Sequence, residues 1–444
     1  MRRFLYSFRL VAIFVAALTG VAAAAPDETL RVGLSTPPLP FDPATAATPE
    51  ELAPVFAAYE HLVDPRGKAE VAASWRHSPD GLVWTFAIAP GHRFDNGRAV
   101  DATAVKFTLD RLMALGRAPA SDALDHVARI DVPDRMTLRI VLKDATPRLL
   151  AILADRSASI VNPDVMKHAV RGDWGSGWLA VHSAGSGPYR LHSTVQGTFI
   201  LERNPAYGGP PPWFSRLIFR VIADPTVRLL AAQKGEIDIG FLMPAQTLSG
   251  VAADGPVRIV SRPAIAFQNL AFNTEREVFK DIRLRRAIGA AIDVDGIVKY
   301  IRGGRASRFR GPLPAGMPGA DPALYPVRFD PKEALRLAKA AGVKPGTPLS
   351  LIYPGVSPET DTVAQYIQAV LAPLGLAGRL ERLSVPAYID RMARGSYDIV
   401  LMGYVANDDD PASILNNWFD PAKAGVENPA RYANRAIVPL LTAA

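Results

Sequence analysis

Seven histidines, three consecutive aspartates and the Gly-Ser-Gly triplet at 185–187 are the groups in this chain that invite a chemical reading. The histidines (61, 77, 92, 126, 168, 182 and 192) include no i, i+4 pair and no His-Glu-x-x-His, so no helix face presents two imidazoles and a base to zinc. His182 and His192 read first as surface polar residues. Asp408-Asp409-Asp410 lacks the alternating acids and the glycine of a calcium loop. A solvated turn with partial ligand contact is expected there, and no metal site. Gly185-Ser186-Gly187 falls short of a nucleophile elbow, because Ala184 stands where the first glycine is needed and Pro188 would break the helix that must follow. No Gly-x-x-x-x-Gly-Lys loop occurs, so the chain is not expected to hydrolyse ATP. No catalytic constellation assembles from these residues, and no cofactor is called for.

Other side chains suit holding a guest better than converting one. Tyr404 and Trp418 carry amphipathic rings that can cover a ligand and still reach a polar partner. Asn269 and Asn273 stand open between ligand contact and hydrogen bonding to crossing strands. Trp84 and Phe86, at strand spacing, read as core.

These residues must be positioned by local elements, and several are legible. Ser78-Pro79-Asp80-Gly81 signals a turn, and Trp84, Phe86 and Ile88 alternate behind it as in a half-buried strand. Asp101 caps a helix with Val105, Leu109 and Leu112 on one face. A strand at Leu138, Ile140 and Leu142 completes an α+β unit with antiparallel pairing. Tyr189–Thr194 and Thr198–Arg203 form a hairpin around Gln196-Gly197. Asp224-Pro225 opens a helix and Ile237–Phe241 is a strand. Asp330-Pro331-Lys332-Glu333 has the pattern of a capping box, and Gly342 ends its helix. Then come a strand at Leu349–Tyr353, a helix at Pro358–Leu374, a strand at Leu376–Leu383, a helix at Pro386–Arg394 and a strand at Tyr397–Tyr404. That order predicts a parallel sheet with helices on its faces, and ligands of such sheets sit beyond the carboxyl ends of the strands. Val405–Pro411, leaving the last strand, is where a site is expected.

The first 24 residues stand apart. Arg2, Arg3 and Arg9 precede an apolar run, Leu10–Leu18, and Ala22-Ala23-Ala24 follow. This is the three-part pattern of a cleavable export signal, with the cut expected after Ala24. The run is short against the ~20 residues of a bilayer span. There is no cysteine, so disulfides, thiolate metal sites and a lipid anchor on a cysteine are all excluded. The net charge is +7, three of it in the signal, and no dense basic tract is interleaved with aromatics. Nucleic acid is therefore not an expected partner. A soluble periplasmic protein follows.

Taken in order, further segments show a resemblance. Asp80-Gly81-Leu82-Val83-Trp84-Thr85-Phe86, Phe94-Asp95-Asn96-Gly97 and Asp101-Ala102-Thr103-Ala104-Val105 form its most specific block. Around it stand Phe41-Asp42-Pro43, Tyr59-Glu60-His61-Leu62-Val63, Gly185–Tyr189, Asn204-Pro205-Ala206-Tyr207, Gly235-Glu236-Ile237-Asp238, Asn273 with Phe279–Asp293, Asp330–Gly342, and Tyr397-Asp398 leading to Gly403-Tyr404 and Asp410-Pro411. The whole mature chain resembles the extracytoplasmic solute-binding proteins of family 5, the dipeptide- and oligopeptide-binding group. The resemblance implies an α/β, two-lobed "Venus flytrap" with an extra α+β domain in the first lobe. Its parts would be the signal at 1–24, a lobe I core at 25–45 and 171–265, the extra domain at 46–170, and lobe II at 266–444. It implies a monomeric, non-enzymatic receptor that closes on a peptide-like solute and delivers it to an ABC permease with its ATPases. A sugar, opine or chelated-metal receptor of the same fold, a secreted hydrolase, and a paralogue that no longer binds are the alternatives.

The implied ligand-binding residues are Phe41, Asn269, Tyr404, Asn407, Asp408 and Trp418. Departures from the family pattern bear on the solute. Ala104 replaces the usual acid before the valine. Tyr404 stands for a tryptophan, and Asn407 for the aspartate that holds a peptide's α-amino group. Asparagine lacks the charge that strengthens such a bond, and neighbouring Asp408 is the substitute. Ser357–Thr362, where dipeptide binders carry an arginine for the α-carboxylate, contains none. Arg431–Asn434 resembles a segment after which members continue, and the chain stops at Ala444.

Overall fold

The computed structural model describes residues 28–46, 48–64, 67–116, 124–146, 149–261, 266–314, 317–324, 328–405 and 411–443. The segment read as an export signal, and Asn407 and Asp408, lie outside them. Among the described residues no helix is long and apolar enough to cross a membrane.

The chain lays down β1 (Thr29–Leu34) and then departs to build a separate sheet from β2 (Ala72–His77), β3 (Val83–Ile88), β4 (Val127–Asp134) and β5 (Thr137–Leu142), all antiparallel in the order β2-β3-β5-β4. Asp80 makes the first turn by accepting the Leu82 N–H at 3.0 Å, with Gly81 at φ +70°. Trp84, Phe86 and Ile88 then point inward against Leu138, Ile140 and Leu142. Asp101 caps the helix Ala102–Leu115 through the Ala104 N–H at 3.0 Å, and Val105, Leu109 and Leu112 close this core. Burying each such aliphatic side chain contributes about 1.5–3 kcal/mol.

The chain returns with β6 (Tyr189–Val195), β7 (Thr198–Arg203), β8 (Arg216–Val221) and β9 (Ile239–Gly240), giving a five-stranded sheet ordered β6-β7-β8-β1-β9. β1 lies inside it, parallel to both neighbours. Gln196 and Gly197 both have positive φ, the geometry of a two-residue hairpin turn matched to strand twist. β9 is shorter than the five residues expected. Asp238 instead takes the Arg31 N–H at 2.7 Å and the Arg31 guanidinium at 3.1 Å.

The last sheet contains β10 (Ala266–Phe272), β11 (Thr347–Pro354), β12 (Leu376–Leu383) and β13 (Ile399–Val405) in the order β10-β13-β11-β12. β11 runs parallel to β12 and β13, as the alternating pattern predicts, and β10 adds an antiparallel edge. Helices Ile282–Ala291, Pro331–Ala340 and Pro358–Leu371 cover one face, and Val385–Ala393 and Pro411–Phe419 the other. Asp330 caps its helix as expected, but Glu333 does not close the box. Glu333 pairs with Arg336, and the Asp330 N–H goes to the Ala290 carbonyl at 2.8 Å.

Candidate functional site

The antiparallel register of β10 and β13 decides which side chains meet at the carboxyl end of the last sheet. Phe267 lies opposite Tyr404, and Asn269 opposite Met402. Directly paired residues share a face, so all four point toward the layer formed by helix Pro411–Phe419. Trp418 of that helix brings its ring to 5.4 Å from Phe267 and meets Tyr404 edge-on at 5.6 Å. Phe267 and Tyr404 are 5.2 Å apart, and Phe309 stacks on Phe267 at 4.7 Å. Four rings therefore gather at the strand ends, with Trp418 nearly covered and the others half-buried. Below them Tyr388 donates to the Leu401 carbonyl at 3.3 Å, and burial pushes its phenol above the ordinary value, so it stays a hydroxyl.

Asn269 sits one pleat inward from Phe267. Its Oδ1 is buried with no hydrogen-bond partner. Buried acceptors are almost always paired, which sets Asn269 apart from its neighbours on the strand.

The opposite face of β10 carries a polar relay absent from the sequence expectations. Gln268 Oε1 accepts from Arg302 at 2.7 Å, and Arg302 pairs with Glu359. Glu359 in turn accepts the Ala245 N–H at 2.8 Å. Glu359 is buried at the start of helix Pro358–Leu371, the stretch searched for a carboxylate-binding arginine. That stretch holds an acid, and its arginine comes from the turn after Ile301.

The remaining expected site residues are placed as follows. Phe41 is fully buried in the core of the first sheet, 6.3 Å from the Phe199 ring. Asn273 is a structural residue: its Nδ2 donates to the carbonyls of Gly395 and Tyr397, each at 3.1 Å. Ser186 is fully buried and its Oγ touches no base. His182 is exposed and stacks on Trp178 at 4.3 Å, while His192 faces Glu202 at 3.2 Å. Among the described residues no three His, Asp or Glu side chains group as metal ligands.

Separate sheets with separate hydrophobic cores, one of them accompanied by an α+β annex, are the build of a two-lobed protein. Residues 68–425 match the model described as bacterial extracellular solute-binding proteins, family 5 Middle, and the chain belongs to that family. It is 32% identical over 449 residues to "Probable D,D-dipeptide-binding periplasmic protein DdpA" of Escherichia coli (strain K12), covering 98% of this chain and 86% of the relative. Among solved structures it is similar to the ABC transporter-associated periplasmic binding protein DppA of Helicobacter pylori in complex with peptide STSA. That match has TM-score 0.78 and 25% identity, over 94% of this chain and 86% of that one. It is also similar to MoaA of A. tumefaciens R10 in complex with mannopinic acid, with TM-score 0.77 and 26% identity over 92% and 84%.

Proposed function

We infer that this chain captures a peptide-like solute between its lobes and presents it to an ABC permease and its ATPases. The observation that carries this reading is the 32% identity, over almost the whole chain, to a relative named for D,D-dipeptide binding. Tyr404, Trp418, Phe267 and Phe309 supply apolar cover for the solute. Asn269 takes one of its N–H groups, and the family pattern assigns its amino end to Asn407 and Asp408. Phe41, buried in the core of the first sheet, supports the site from behind. Lobe I comprises the first sheet and its α+β annex, and lobe II begins at residue 266. Export through a signal cut after Ala24, a periplasmic location and a monomeric state complete the reading. Closure works because the open and closed forms differ by only a few kcal/mol, so the solute's preference for one form decides the state.

A second reading, an opine receptor, is supported by one observation, the likeness to MoaA of A. tumefaciens R10 in complex with mannopinic acid. Ser357–Thr362 contains no arginine, and the nearby Arg302 is already held by Glu359 and Gln268, so a carboxylate on either kind of solute must find another partner.

A thermal-shift screen of the purified chain against L,L- and D,D-dipeptides, longer peptides and opines tests both. A compound at 100 times its Kd stabilises by about 2.7 kcal/mol. Stabilisation by a peptide supports the first reading, and stabilisation by opines alone replaces it with the second. Hydrolysis of any screened compound overturns the receptor reading.

A further inference from the structure

Two hydrogen bonds mark where the segment joining the lobes belongs to each of them. The Phe241 N–H donates to the Gly33 carbonyl at 3.0 Å, tying it to β1 of the first sheet. The Ala245 N–H donates to Glu359 Oε1 at 2.8 Å, tying it to lobe II. Leu242, Met243 and Pro244 lie between. Leu242 has φ +48°, a left-handed backbone that side chains with a Cβ seldom adopt, and it is 52% exposed. Beyond Ala245 the connector stays with lobe II. Gly303, next to Arg302, faces the Ala245 side chain, and Arg305 Nη1 reaches the Ser261 hydroxyl at 3.4 Å. On the other side Met243 sulfur takes the Arg228 Nε–H at 3.2 Å, a soft tether to helix Pro225–Gln233.

We propose that Leu242–Pro244 is the pivot of the lobe movement on this connector, and that Glu359, through its bond to the Ala245 N–H, is the clamp that keeps the pivot this short. Hinges are a few element-terminal residues that absorb large φ/ψ changes, and a residue held at an uncommon φ with an exposed side chain is free to change it. The clamp confines bending to three residues, so lobe II swings as a body instead of trailing a loose strand of some twenty residues. The same clamp reaches the aromatic site. Glu359 holds Arg302, and Arg302 holds Gln268, the residue between Phe267 and Asn269.

The absence of cysteine permits a direct test on the full chain without any solute. Spin labels at Val195→Cys on the first sheet's hairpin and Leu335→Cys on a lobe II helix report the interlobe distance distribution by pulsed electron–electron resonance. Glu359→Ala and Leu242→Gly are each expected to broaden it at least twofold. Arg302→Met leaves the Glu359 oxygen that accepts the Ala245 N–H in place and is expected to retain the parent width. Circular dichroism verifies that each variant is folded. Unchanged widths for both Leu242→Gly and Glu359→Ala overturn the pivot. Equal broadening by Arg302→Met and Glu359→Ala overturns the clamp as a hydrogen bond to Ala245. Neither result touches the peptide assignment, because no peptide is present.

Discussion

Arg111 and Asp42 meet as a two-pronged ion pair with both side chains closed off from solvent. Nη1 lies 2.8 Å from Oδ1, and Nη2 lies 2.6 Å from Oδ2. The Trp174 carbonyl at 2.9 Å from Nε and the Ser176 hydroxyl complete the arrangement. Asp42 belongs to the segment leaving β1, Arg111 to the helix of the α+β annex, and Trp174 and Ser176 to the returning chain. The pair therefore ties helix Ala102–Leu115 to the segments that leave β1 and lead back to β6. Removing one partner leaves a buried charge without its counterion, which costs about 3–5 kcal/mol. Asp42→Asn is expected to lose that much in urea denaturation, and Asp42→Asn with Arg111→Met to regain most of it. A loss below about 1 kcal/mol would show that solvent reaches the pair.

Two titrating groups in the same annex give stability a downward slope with rising pH. Burial pushes the Asp95 carboxyl up to about 6, against partial relief from the Asn96 N–H and Arg190. The fold therefore favours the protonated acid: its contribution is complete below the ordinary value of 3.8 and is lost as pH rises through about 6. His92 is raised by its bond to the buried Glu60, 3.0 Å away. Its contribution is complete below 6.5 and is lost as pH climbs through the raised value. Asp95→Asn is expected to flatten the curve between pH 4 and 6 and to add about 1–3 kcal/mol at pH 7. Denaturant midpoints across pH 4–8 check this, and a variant curve parallel to the parent's would refute it.

The Gly185-Ser186-Gly187 triplet serves packing. A Cβ on Gly185 would lie 2.0 Å from the Ala58 carbonyl oxygen, and one on Gly187 would lie 2.6 Å from the Ala58 carbonyl carbon. The Gly187 N–H bonds that same oxygen at 3.0 Å. Backbone cannot yield as a side-chain tip can. Gly185→Ala is therefore expected to cost about 3 kcal/mol or more, at the upper end of overpacking penalties. Ser186→Ala, which removes an unpaired buried hydroxyl, is expected to be neutral or stabilising. Thermal unfolding of the two variants side by side settles the contrast.

Much of this architecture was legible because local signals agreed with the final contacts. Asp101, Asp224 and Asp330 all cap, and the strand–helix alternation after residue 347 does form a parallel sheet. β10 was hidden by its own composition. Phe267, Asn269 and Ala271 share one face, and Gln268, Leu270 and Phe272 the other, so neither face is uniformly apolar and no period of two emerges. That concealment also hid Phe267, and with it the partner that joins Tyr404 to Trp418. The burial of Phe41 is not legible locally, because it follows from the anchoring of its neighbour Asp42 on Arg111, a contact across 69 residues. Arg302 is not legible from Ser357–Thr362, because guanidinium reach is a matter of space and this side chain arrives from another turn.

Asn269 offers the sharpest separation of fold from function. Its Oδ1 is buried without a partner, on the strand face that also carries Phe267. Such an orphan costs about 1–3 kcal/mol, a burden the solute-free fold gains nothing by bearing. Asn269→Leu is nearly isosteric and removes the unpaired acceptor. It is expected to stabilise the empty protein by about 1 kcal/mol while weakening a peptide identified in the thermal-shift screen by tenfold or more. Calorimetric titration and urea denaturation of the same sample provide both numbers. The two effects must carry opposite signs if Oδ1 waits for a donor on the solute. A variant that loses stability and keeps its affinity would instead make Asn269 part of the framework, and the donor would have to be sought among the neighbours of Met402.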